Sequence, residues 1–129
     1  MEYYYTKTVT SRFEDVVDRT IEALKEEGFG VLSDIDVKAT LQKKLGIDFY
    51  NYRILGACNP PFAYQALQAD DKIGTLLPCN VILQEKIPGI VEISAIDPVK
   101  QMEQSENQKI GKIALEIGEK LKRVIERID

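Results

Sequence analysis

The last segment of the chain constrains the fold most. From about Asn107 to Ile128, the residues Ile110, Ile113, Ile117, Leu121, Val124 and Ile128 advance by three or four positions. That spacing predicts one apolar stripe along a long helix. Glu116 with Lys120, and Glu119 with Arg123, stand four apart on the opposite, wet side. A helix with a single stripe needs a surface to cover. The two strands expected just before it, Cys79 to Glu85 and Ile90 to Ala95, supply that surface as a hairpin. Pro88 and Gly89 set the turn between them. A seam between two helices of a dimer is the other use of such a stripe, but the sheet's need for a cover favours the core.

Upstream, Tyr3 to Thr10 is rich in Tyr, Thr and Val and reads as a strand. Ser11 and Glu14 stand at capping-box spacing, and Phe13, Val16, Val17, Ile21 and Leu24 then keep a helical period. Gly28 suits the end of that helix. Gly30 to Ile35 is a short strand. Asp36 is placed to cap a second, shorter helix that Gly46 closes. Phe49 to Ala57 is aromatic and β-rich, a further strand. Asn59, Pro60 and Pro61 begin a third helix running to about Leu67. Asp70-Asp71-Lys72 is a turn, and Asp97-Pro98 ends the sheet portion.

With the two short helices set aside, the order is β-α-β4-α. The connections after the first helix are too short or irregular for regular βαβ crossovers. The expected fold is therefore α+β: a largely antiparallel sheet, the first and last helices on one face, and two short inserted helices. No linker, repeat or low-complexity tract interrupts the 129 residues, so one domain over 1–129 is expected.

Composition closes several routes to function. The chain has no histidine. That removes Ser-His-Asp and Cys-His machinery, His-containing zinc sites and any His general base. Net charge is −4 with both signs interleaved, which argues against a nucleic-acid partner. The first residues, Met-Glu-Tyr-Tyr-Tyr-Thr-Lys, lack the apolar run of a signal peptide. No stretch approaches the roughly 20 apolar residues of a membrane span. A cytoplasmic setting is expected, with the cysteines as thiols.

Those two cysteines sit in similar frames, Gly56-Ala57-Cys58-Asn59-Pro60 and Leu77-Pro78-Cys79-Asn80-Val81. If their strands pair antiparallel, Cys58 leaves one as Cys79 enters the other. The expectation is that they face each other across one rung, about 4.5–5.5 Å apart at Cα and within disulfide range. The third helix would start beside Cys58 and lower its thiol pKa. The competing reading is two packed, inert thiols, since free Cys behaves as a small hydrophobe. Two cysteines alone rarely complete a metal site, and four would need a symmetric dimer, so none is assigned. Asn59 reads as a helix cap or a ligand group. Asn80 opens a strand, where Asn is unfavoured, and reads as a loop-bonding or ligand-binding side chain. Tyr3, Tyr4, Tyr5, Tyr50, Tyr52 and Tyr64 fit strand filler singly, and together an exposed sheet face able to meet a partner.

The run Tyr52 to Pro60, then Ala63, Ala66-Leu67, Ile73-Gly74 and Leu76 to Val81, resembles the core of a prokaryotic family labelled domain of unknown function 302. Ser33 to Val37, Leu45-Gly46 and Ile96-Asp97-Pro98 resemble it too. Many relatives carry no Cys at the two Cys positions. The resemblance implies a β-α-β4-α arrangement of the TATA-box-binding-protein-like and helix-grip group. It brings no established reaction and names no cofactor.

Three functions follow as expectations. The first is a small-ligand-binding module, working as a homodimer, with a cavity at the strand ends. Cys58, Asn59, Cys79, Asn80, Tyr52 and Tyr64 are its candidate residues. The second is a thiol redox or metal-handling protein using Cys58 and Cys79. The third is an interaction subunit without chemistry.

Overall fold

A computed structural model describes residues 2–129. Five strands form one sheet in the order β1-β5-β4-β3-β2, every neighbouring pair antiparallel. They are β1 (Tyr4–Thr10), β2 (Gly30–Asp36), β3 (Asn51–Cys58), β4 (Cys79–Ile87) and β5 (Ile90–Ile96). The helices are α1 (Phe13–Glu26), α2 (Val37–Leu45), α3 (Pro60–Ala69), α4 (Pro98–Met102) and α5 (Gln108–Arg127), with a 3-10 turn at Ile73–Leu76. The expected α+β order is therefore present. The short α4 and the 3-10 turn are additions that the apolar period did not announce.

α1 and α5 pack side by side on one face of the sheet. Val16, Val17 and Leu24 of α1 share one core with Ile110, Leu121 and Val124 of α5 and with Leu55, Val81, Leu83, Val91 and Ile93 of the sheet, all essentially solvent-free. The strand residues named belong to alternating positions, as a pleat with one buried face requires. Each buried Leu, Ile or Val contributes roughly 1.5–3 kcal/mol, so this layer is the main source of stability. The α5 stripe is core, as its spacing predicts.

Local signals fare unevenly. Asp36 caps α2 by accepting from the Ala39 amide at 3.0 Å, and Gly46 closes it at φ 64°. Asn107 caps α5 in the same way through Lys109 N at 2.9 Å. The Ser11–Glu14 box does not form. α1 starts one residue later, at Phe13, with Arg12 as its uncapped N-cap. Glu14 turns instead to Arg53 Nη1 at 3.2 Å, and Asp34 holds the other edge of that guanidinium. The expected pairs along α5 give way to long-range ones. Arg123 bonds Glu27 at 3.1 Å, and the Lys120 ammonium lies 5.9 Å from the Phe62 ring centre.

Candidate functional site

The β3–β4 connection positions the site. β3 ends at Cys58, α3 doubles back across the strand ends, and β4 begins at Cys79 after the cis Leu77–Pro78 bond. Between α3, α5 and the strand ends lies a cavity of about 360 Å³. Phe62, Ala63 and Ala66 line it from α3, Met102 from α4, Ile113 and Ile117 from α5. Small side chains at Ala63 and Ala66, three apart on one face of α3, leave the space. Leu32 and Leu67, both exposed, also line it and mark its open side. Leu32 is the extra residue of a bulge in β2 between Val31 and Ser33, which turns its side chain outward.

Cys58, Asn59 and Cys79 all line this cavity. They do not do so as strand parity suggests. The β3–β4 register sets Ala57, not Cys58, opposite Cys79, while Cys58 stands opposite Gly30 of β2. The expected Cys–Cys rung is therefore displaced by one residue. Ala57 and Cys79 share the helix-covered face with Leu55 and Val81, whereas Tyr52, Ile54 and Gly56 face the other way. Gly56 is needed there: a Cβ would collide with Ser33 Oγ and approach Pro78 Cγ to 2.9 Å.

Thiol activation by α3 is likewise corrected. Burial pushes the Cys58 thiol up, not down, and pushes Cys79 up to about 12, with a smaller push from Cys58. α3 opens with Pro60 and Pro61, which have no N–H to offer a thiolate. Both cysteines are free and both are neutral thiols at pH 7. Among the described residues no group of three or more His, Cys, Asp or Glu side chains could hold a metal ion.

Asn59 stands at the α3 N-cap but makes no side-chain capping bond. Its Nδ2 donates instead to the Glu27 carbonyl at 3.2 Å. Glu27 in turn carries Arg123 and Arg127 on its carboxylate, at 3.1 and 3.0 Å. The Arg123 hydrogen bond holds that carboxyl below the usual glutamate range, against an opposing push from burial.

Asn80 and Tyr52 belong elsewhere. They line a groove of about 450 Å³ on the uncovered face of the sheet, with Tyr3, Tyr4, Lys86 and Glu92. Tyr52 is half-buried there, and burial raises its phenol pKa. Tyr64 reaches neither cavity; it lies on the outer side of α3, 65% exposed. The candidates thus divide into three at the strand-end pocket, two on the open face and one apart. Sequence reasoning missed the apolar wall of α3 and α5. Its available signal was the surplus of small and apolar residues on α3, more than a ten-residue helix needs for its own docking.

Fold and pocket together define an α+β domain of one antiparallel sheet, helix-covered on one side and hollow at its strand ends. The chain belongs to the family described as domain of unknown function DUF302, whose family profile matches residues 5–128. It is similar to an uncharacterized conserved DUF302 protein from Bacillus stearothermophilus, known from a crystal structure. The identity is 30%, the TM-score 0.90, and the match covers 100% of both chains. Among curated proteins no match was found.

Proposed function

We propose that this protein is a binding module for a small, mainly apolar molecule held in the strand-end pocket. The observation that carries this reading is the pocket's wall. Phe62, Met102, Ile113 and Ile117 surround about 360 Å³ of space that opens past exposed Leu32 and Leu67. Ligand sites have this form: a mostly apolar concavity with few polar groups. Cys58, Asn59 and Cys79 supply the polar rim, and their role is recognition, not reaction.

The test uses the neutral dye N-phenyl-1-naphthylamine, which brightens in apolar surroundings. Wild-type protein is expected to bind it saturably. Ala63→Phe, which fills the space beside Phe62, is expected to weaken binding at least tenfold while the far-ultraviolet circular dichroism stays unchanged. A dye that does not bind, or binds a folded Ala63→Phe protein equally well, sinks the reading.

Thiol redox or metal chemistry at Cys58 and Cys79 has less support. Both thiols are held protonated, and they sit on offset rungs. A reducing, cytoplasmic setting fits two free thiols. No described helix is long and apolar enough to cross a membrane.

The proposal includes a homodimer. Its support is the open face of the sheet, where Ile35, Ile54 and Ile82 lie in one rung with Ser94 and Thr6. No helix covers them. Nucleic acid finds no basic surface in the groove on this face, which carries one lysine and one glutamate.

A further inference from the structure

Resting on the reading of the strand-end pocket as a ligand site, we propose that it selects an uncharged molecule with one hydrogen-bond donor. That donor, a hydroxyl or an N–H, is set against Oδ1 of Asn59. Four observations lead there.

Asn59 is 93% buried at 7% exposure, and it lines the pocket. Its amide orientation is fixed by its partner. A carbonyl only accepts, so the group facing Glu27 O at 3.2 Å is Nδ2 and the opposite end is the oxygen. Gly28, at φ 86°, closes the Nδ2 side, where an added Cβ would stand 3.1 Å from that nitrogen. The side chain is thereby held from behind.

Oδ1 itself accepts no hydrogen bond among the described residues. The usual donor set for an N-cap oxygen is reduced here, because Pro60 and Pro61 occupy the first two helical positions. Oδ1 keeps contact with solvent at the pocket, since Gln101 Oε1 is the buried side-chain acceptor without a partner among the described residues, so a ligand donor there replaces water. A ligand hydroxyl keeps that acceptor bonded when the pocket fills, and a ligand without a donor leaves it unpaired. The resulting preference is about two- to tenfold in affinity.

The pocket wall contains no Lys, Arg, Asp or Glu. A carboxylate placed inside would lose its hydration with no cation to replace it. Lys120 has its ammonium over the Phe62 ring at 5.9 Å but stands outside the lining. Protonated Cys58 and Cys79 add no charge of either sign. The wall therefore favours a neutral molecule, and the Asn59 amide oxygen, held from behind, sets how it lies.

The experiment compares three molecules on one skeleton, naphthalene, 2-naphthol and 2-naphthoate. Each competes with N-phenyl-1-naphthylamine on the wild-type protein at pH 7. The expected order is 2-naphthol tightest, by about two- to tenfold over naphthalene, with 2-naphthoate weakest. Asn59→Ala, where folded, is expected to bring 2-naphthol down to naphthalene. Equal binding of naphthol and naphthalene overturns the inference while the pocket reading stands. So does tightest binding by naphthoate, which would assign recognition to Lys120. If none of the three displaces the dye and the dye itself does not bind, the inference and the reading beneath it fall together.

Discussion

At the scale of single residues, Glu27 does more than its place in the sequence announces. It follows α1 as its C-cap, one acidic residue among several. In the fold its carboxylate joins α1 to α5 through Arg123 and Arg127, and its carbonyl anchors Asn59. Glu27→Gln is expected to cost about 2 kcal/mol at pH 7, the range for a hydrogen bond to a charged group. The carboxyl's folded pKa lies below its unfolded value, near 4.3. Its contribution is therefore complete above the unfolded value and fades as pH falls through the folded one. Urea unfolding of both proteins between about pH 3 and pH 7 reads this directly: the gap should close toward the acid end. A gap that stays constant would show that Glu27 acts by shape, not charge. Nothing in the sequence exposes this link, because Arg123 stands 96 positions away and pairs as plausibly with Glu119. The cysteine pair failed for a related reason. Parity says which residues share a face within one strand, but the offset between β3 and β4 is set by how the α3 connection packs.

At the scale of elements, periodicity carried the reading where elements are long. α1 and α5 were legible because an apolar stripe repeated over three or more turns marks a helix. α4 and the 3-10 turn at Ile73–Leu76 are too short to show a period, and they were invisible. Glycines show the same limit. Gly111 and Gly118 both lie in α5, and the sequence does not distinguish them. An added Cβ at Gly111 meets nothing within 4 Å, whereas at Gly118 it would stand 3.3 Å from Tyr5 Oη. Gly118 admits the Tyr5 ring, over which the Lys122 ammonium sits at 5.3 Å. Gly111 only adds backbone freedom to the unfolded chain. Gly111→Ala is accordingly expected to stabilise the protein by about 0.5–1 kcal/mol. The urea midpoint should rise with an unchanged slope. A lower midpoint would mean that the first turn of α5 is not the plain, solvent-facing helix described here.

At the scale of the whole molecule, the sheet is asymmetric: one side holds two long helices, the other holds none. The bare side is mixed, with an isoleucine row set among Thr6, Asn80, Gln84 and Ser94. Ile54 and Ile82 stand side by side in adjacent strands, Ile35 continues the row to the β2 edge, and Tyr3, Tyr4 and Tyr52 border the groove. Five strands at about 4.8 Å spacing and seven residues at about 3.3 Å give a footprint of roughly 550 Å². Side-chain relief raises the accessible area above that, toward the roughly 800 Å² per partner of a stable interface. A second copy is the occupant that suits the charges. Lys86 and Glu92 both line the groove, so a two-fold apposition offers each lysine a glutamate across the interface. The edges give no competing route. β2 is bulged at Leu32 and β1 carries Lys7, both of which discourage edge pairing. Sedimentation equilibrium should therefore find a dimer, and Ile82→Asp should convert it to a monomer. The strand-end pocket lies at the strand ends beside the helices, so this variant is expected to retain dye binding. A wild-type monomer at every attainable concentration, or a dimer indifferent to a charge at Ile82, would leave the open face to a different partner. The two predicted sites are thus separable by experiment, because the sheet divides them.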